Sequence, residues 1–110
     1  MRVLLVEPDQ TTSKSIELML THAGLNIYST DSGVEALDLI KLYDYDLVLT
    51  ELNMRDLNGF DLIKSIREAK ISTPIMVVTG KNDTETSIKC LGFGADDVVN
   101  KPFHIINRKF

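Results

Sequence analysis

One cysteine, Cys90, occurs in 110 residues. An internal disulfide is therefore excluded, and a single reduced thiol fits a cytoplasmic protein. Cys90 itself reads as a small apolar residue. The two histidines, His22 and His104, lie too far apart for metal-ligand spacing. Positive charge is in deficit: 12 Lys and Arg stand against 16 Asp and Glu, a net charge of −4. A nucleic-acid-binding chain would need a basic face, and the lone pair Arg108-Lys109 reads as solvated surface. No apolar run is long enough to cross a bilayer, and Met1 leads straight into a strand-like run with no signal-peptide pattern. Repeats, low-complexity segments and a glycine-rich phosphate loop are all lacking.

What is present suits one compact domain, with 44% hydrophobic and 25% charged residues. Apolar runs recur at 3–6 (VLLV), 25–30 (LNIYST), 47–50 (LVLT), 75–78 (IMVV) and 97–100 (DVVN). Short continuous runs of Val, Ile and Leu suit central strands of a parallel sheet, whereas the alternation of Leu25 and Ile27 with Asn26 and Tyr28 suits an edge. Helical spacing lies between them. Ile16, Met19, Leu20 and Ala23 define a first helix stopped by Gly24. Ser32 and Glu35 form a capping box that opens a second, with Ala36, Leu37, Ile40 and Tyr43 inward. Leu62, Ile63, Ile66 and Ala69 mark a third. A fourth, over 83–91, carries only Ile88, Cys90 and Leu91 as apolar residues and is expected to be the least anchored. A fifth should begin near Phe103.

Strand and helix alternate five times, which predicts a doubly wound α/β sandwich with a five-stranded parallel sheet. Ligands of such sheets bind at the carboxyl ends of the strands. Glu7-Pro8-Asp9, Glu51, Thr79 and Lys101 all fall there. Carboxylates on neighbouring strands can hold Mg²⁺ through oxygen, a lysine can neutralise phosphoryl oxygens, and a hydroxyl can sense the resulting anion. Asp9 also reads as the N-cap of the first helix. Gly59 and Gly80 read as turn glycines.

The run VLLVE, the acid after LVLT, the VVTG segment and GADD leading to NKPF stand in order and at the right spacing over residues 1–104. In this the sequence resembles the receiver domain of two-component response regulators, and in particular those of alphaproteobacterial cell-cycle regulators of the OmpR/PhoB type. The resemblance implies strand order 2-1-3-4-5 and a receiver domain over 1–110, with any C-terminal DNA-binding domain outside these residues; the last helix is expected to be short or truncated. It implies roles as well. Glu7 matches the first of the acidic pair. Glu51 stands where the phosphorylated aspartate is expected. The backbone carbonyl of Asn53 completes a metal set of Glu7, Glu51 and Asn53. Thr79 is the switch hydroxyl, Lys101 the phosphoryl-pairing lysine, and Val98 occupies the switch-aromatic position. The Lys101–Pro102 bond is typically cis in the family. The dimer face, made by the fourth helix, fifth strand and fifth helix, takes in Lys89, Asp96 and Asp97. Arg108 stands where the fifth helix normally buries a leucine.

Three departures shape the functional expectation. Pro8 replaces a metal-binding aspartate and offers no side-chain oxygen. Glu51 carries its carboxylate one C–C bond, about 1.5 Å, further out than aspartate, and misplacing an attacking group by that much costs on the order of 100-fold. Val98 is no aromatic. The chain is thus expected to be a pseudo-receiver, not an enzyme. It would work independently of phosphorylation as a dimerisation or interaction module for a transcriptional output, with no cofactor and at most weak Mg²⁺ binding. Its expected partners are a second copy or a related response regulator, and a histidine kinase or phosphotransferase engaged without phosphotransfer. DNA would be reached only through the absent domain. The alternative is a conventional Mg²⁺-dependent phosphoacceptor that uses Glu51 with relaxed geometry and Asp9 as substitute ligand.

Overall fold

The computed structural model describes residues 1–80 and 83–101. The expected fifth helix, His104, Arg108 and the Lys101–Pro102 bond lie outside the described residues. In chain order the elements are β1 (Arg2–Val6), α1 (Gln10–His22), β2 (Asn26–Thr30), α2 (Gly33–Leu42), β3 (Leu47–Thr50), α3 (Gly59–Glu68), β4 (Ile75–Thr79), α4 (Thr84–Phe93) and β5 (Asp97–Asn100). All strand pairs are parallel, in the order β2-β1-β3-β4-β5.

Alternation along the strands divides the core into two layers. Val3, Leu5, Leu47, Leu49, Val78 and Val99 face Ile16 and Leu20 of α1. Leu4, Val6, Val48 and Val77 face the other way, onto Ala36 and Ile40 of α2, Leu62, Ile63 and Ile66 of α3, and Cys90 of α4. Burial on both faces explains why β1 and β3 read as unbroken apolar runs. The half-exposed β2 is the edge strand that its alternation predicts.

Each helix starts on a side-chain cap that accepts from a backbone N–H of the first turn. The pairs are Asp9 with Thr12 (2.9 Å), Ser32 with Glu35 (3.0 Å), Asn58 with Asp61 (3.0 Å) and Asp83 with Thr86 (2.7 Å). Helix α4 runs two residues beyond its expected end and stops at Gly94, whose φ of +116° suits glycine. Cys90 is its single buried residue; Ile88 is 66% exposed.

Three inward assignments need correction. Tyr43 is 53% exposed because it is the extended C-cap of α2 and no longer follows the helical period. Ala23 and Ala69 are exposed for the same reason, as C-caps of α1 and α3.

The glycines also differ from expectation. Gly59 opens α3 and is needed for close approach: a Cβ there would stand 2.6 Å from the Glu51 carbonyl oxygen and 2.7 Å from Leu52 Cα. At Gly80 a Cβ would meet nothing within 4 Å, and its φ is not positive. Gly59→Ala is therefore expected to cost about 1–3 kcal/mol by overpacking against backbone. Gly80→Ala should stay within about 0.5 kcal/mol. Urea denaturation of both variants checks this, and equal midpoints would contradict it.

Candidate functional site

Parallel pairing carries four chain segments to one rim of the sheet, where β1 and β3 lie side by side and the chain departs from each in opposite directions. Ladder bonds continue past the strand ends and fix the backbone there. Glu7 N–H donates to Thr30 O (3.0 Å), Glu51 N–H to Val6 O (2.9 Å) and Lys101 N–H to Thr79 O (3.0 Å).

Glu7 and Glu51 are buried, at 3% and 7% exposure. Lys101 Nζ lies between them, 2.6 Å from Glu7 Oε1 and 2.7 Å from Glu51 Oε1. The remaining oxygens are held by backbone. Glu51 Oε2 accepts from Leu52 N–H (2.6 Å) and Asn53 N–H (3.4 Å), and Glu7 Oε2 from Asp9 N–H (3.1 Å). The Thr79 hydroxyl hydrogen-bonds the Glu51 carboxylate.

Burial pushes the Glu51 carboxyl up. The bonds from Lys101, Leu52 and Thr79, with the lysine's charge, outweigh it and hold the group below its ordinary 4.5. Burial pulls the Lys101 ammonium down, but its bonds to Glu51 and Glu7 raise it above its ordinary 10.5. Glu51 and Lys101 are therefore both charged at neutral pH.

The structure thus brings together Glu7, Glu51, Thr79 and Lys101, and leaves the other expected residues apart. Asp9 spends one carboxylate oxygen on its cap, accepting from the Thr12 amide and hydroxyl (2.9 and 2.5 Å). Pro8 contributes no oxygen. Asn53 meets the site through its backbone N–H, on Glu51 Oε2 (3.4 Å), while the residue as a whole is exposed. Val98 packs as a half-buried residue against the α2–α4 layer. On the expected dimer face, Asp96 pairs with Arg67 (3.1 Å) and accepts from Ile75 N–H (2.8 Å). Lys89 lies 4.2 Å above the Phe60 ring, and Asp97 accepts from Val98 N–H (2.8 Å). Among the described residues, no group of three or more His, Cys, Asp or Glu is placed to hold a metal ion.

Sequence reasoning missed Asp56. Its carboxylate reaches from the loop after β3 to the start of α2, accepting from Ser32 Oγ (2.6 Å), Gly33 N–H (3.0 Å) and Val34 N–H (3.2 Å). The Ser32 hydroxyl, working against burial, and the amides of Gly33, Val34 and Leu57 hold Asp56 well below the usual carboxylate range. A carboxylate at a helix N-terminus also complements its dipole. An Asp in a polar loop gives no sequence signal for a partner 24 residues away.

A doubly wound sheet whose rim joins two acids, a hydroxyl and a lysine defines a signalling receiver, and the chain belongs to the response regulator receiver domain family, whose model matches residues 3–107. Its function lies in two-component signalling. The chain is 51% identical over 104 residues to the cell cycle transcriptional regulator CtrA of Caulobacter vibrioides, covering 94% of this chain and 45% of that protein. It thus spans about half the length of the curated relatives it matches. Among solved structures, the receiver domain of Francisella response regulator 1452 superposes with a TM-score of 0.91 at 31% identity, covering 96% of this chain and 88% of that one. The receiver domain of the Pseudomonas aeruginosa sensor histidine kinase PA1611, solved with a magnesium ion in its active site cleft, gives 0.88 at 26% identity, with the same coverage. No helix among the described residues is long and apolar enough to cross a membrane.

Proposed function

We propose that this chain is a pseudo-receiver: it signals by shape and association rather than by accepting a phosphoryl group. The observation that carries the reading is the Glu51 carboxylate, already bonded to both Lys101 and Thr79. These are the groups that the family resemblance assigns to a phosphoryl anion. Glu51 presents them with one negative charge, where a phosphoryl group brings nearly two. The result is a partial and permanent imitation of the occupied state.

The residues present do not fit a resident magnesium ion. Such an ion needs several oxygen ligands in near-octahedral order. Here the Lys101 ammonium stands between the Glu7 and Glu51 carboxylates, Pro8 supplies nothing, and Asp9 is committed to capping α1. The same cap counts against Asp9 as a substitute ligand, and so against a conventional Mg²⁺-dependent phosphoacceptor.

In this reading the domain is not an enzyme, and any magnesium binding is weak. It steers association with a second copy or a related response regulator, and engages a histidine kinase or phosphotransferase without phosphotransfer. The similarity to a protein named as a transcriptional regulator supports a transcriptional output, with DNA reached through a domain outside these residues. Incubation with acetyl phosphate and Mg²⁺, read by intact mass, should leave the chain unmodified. The double variant Pro8→Asp/Glu51→Asp should begin to take up one phosphoryl group. A stoichiometric adduct on the unaltered chain would overturn the proposal.

A further inference from the structure

The outer side of the edge strand β2 is open. Asn26 N–H donates to Met1 O (3.0 Å), and Thr30 O accepts from Glu7 N–H (3.0 Å). Bonds of a parallel ladder alternate along the strand. Asn26, Tyr28 and Thr30 therefore turn their backbone groups toward β1, and Ile27 and Ser29 turn theirs away. Among the described residues, β2 pairs with β1 alone. Ile27 and Ser29 thus each present one N–H and one C=O outward.

Proteins ordinarily blunt such an edge with lysine, proline, a bulge or a covering segment. β2 reads Asn-Ile-Tyr-Ser-Thr, with no charge and no proline, and its register with β1 runs unbroken from Asn26 to Thr30. The flank is aromatic as well. The chain has three tyrosines, and Tyr28 and Tyr43 both lie within electrostatic reach of the third, Tyr45. The Arg2 guanidinium stands 5.3 Å from the Tyr45 ring. Tyr28 and Tyr43 are half exposed. Tyrosine and arginine are the residue types enriched where interfaces hold most tightly.

Phase and charge select the partner. A two-fold axis at Tyr28 sets Ile27 of one copy opposite Ser29 of the other, on both sides of the axis. These are the residues with outward backbone groups, so both become hydrogen-bonded pairs. Tyr28 meets its own counterpart between them, in the closer non-hydrogen-bonded pair. The whole strand is used, no like charges within it are opposed, and the symmetry closes at two copies. Asp31 and Glu35 lie near the C-terminal end of β2, and Arg2 is beside Asn26 at its N-terminal end. Antiparallel pairing sets the acids of each copy toward the Arg2 end of the other, where a parallel approach would set acid against acid.

We propose that β2 is a self-association edge, at which a second copy of this chain adds antiparallel about a two-fold axis at Tyr28 and joins the two sheets into one. This edge lies across the sheet from β5, so it is distinct from the α4–β5 face that the family resemblance points to. The inference stands whether or not Glu51 accepts a phosphoryl group. Pairing of one short strand buries far less than the roughly 1,600 Å² of a standard interface, so the dimer is weak and forms at about 0.1–1 mM chain.

Sedimentation and amide exchange over that range, on the ¹⁵N-labelled chain, test the proposal. A monomer–dimer equilibrium is expected. Exchange at the Ile27 and Ser29 amides should slow at least about threefold with concentration, while the Tyr28 amide, already bonded to β1, stays unchanged. Mixed labelled and unlabelled chains should show a contact between the Tyr28 Hα atoms of the two copies. Ser29→Pro removes an outward N–H from each copy and spares the bonds to β1, so it should weaken dimerisation at least about tenfold. Tyr28→Lys should do the same by opposing two ammonium groups. Circular dichroism confirms that both variants fold. A chain that stays monomeric at about 1 mM, or a dimer that survives both substitutions, would overturn the proposal. So would a dimer that Ile88→Lys on α4 abolishes and Ser29→Pro does not.

Discussion

Replacing Lys101 with methionine will destabilise the domain by about 3 kcal/mol at neutral pH. Removing one partner of a buried ion pair costs about 3–5 kcal/mol, because the charge left behind has lost both water and partner. Here two buried carboxylates, Glu7 and Glu51, are stranded together. The lower end applies because the Lys101 side chain is 23% exposed and water can reach it. Adding Glu51→Gln should recover part of the loss, and a double-variant cycle in urea measures the coupling. The pH dependence has a definite sign. The Glu51 pKa is lowered, so its contribution is present above the ordinary 4.5 and disappears as pH falls through the folded value. The Lys101 pKa is raised, so its contribution is present below the ordinary 10.5 and disappears as pH rises through the folded value. The difference between the parent and Lys101→Met should hold between those two values and close beyond them. A gap that persists undiminished in acid would contradict this account.

Arg67→Met should lower stability by about 2–3 kcal/mol, from the opposite end of the sheet. Arg67 donates to Gly94 O (3.0 Å), Ile71 O (2.8 Å) and Thr73 O (2.8 Å), and pairs with Asp96 (3.1 Å). One guanidinium thus ties the exit of α3 to the entry of β4 and to the α4–β5 turn. Hydrogen bonds to charged groups are worth about 1.5–3 kcal/mol each, and partial exposure scales the four of them down. Thermal denaturation should register a drop on the order of 10 °C. Arg67→Lys should rescue little, because an ammonium cannot span three carbonyls set around a planar fork. A melting temperature equal to the parent's would refute the clamp.

The strands, their order and the acid–lysine crevice were legible because each rests on a local pattern. Continuous Val, Ile and Leu runs mark β1 and β3, alternation marks β2, and the polar residues that end the strands share one rim by topology alone. The Asp9 cap was equally local. The misses have a common cause in contacts set by tertiary packing. Arg67 reads as the solvated basic end of a helix until Gly94 and Asp96 are brought beside it. Asp56 reads as a loop residue until α2 arrives. Ser13 sits in a polar stretch of α1, among Thr11, Thr12 and Lys14, and only the helical phase set by Ile16 and Leu20 turns it inward. Continuing the α2 period points Tyr43 inward, but the helix ends one residue before it.

The stretch that carries Glu51 is fastened along its length. Gly59 N–H donates to Leu52 O (2.8 Å), Gly59 leaves no room for the backbone of Glu51 and Leu52 to settle back, and Asp56 is anchored on α2. A side chain grown longer by one methylene therefore has no slack behind it and can extend only forward. The rigid mount converts a small chemical lengthening into reach, delivering the carboxylate to Lys101 and Thr79 instead of letting the loop absorb it.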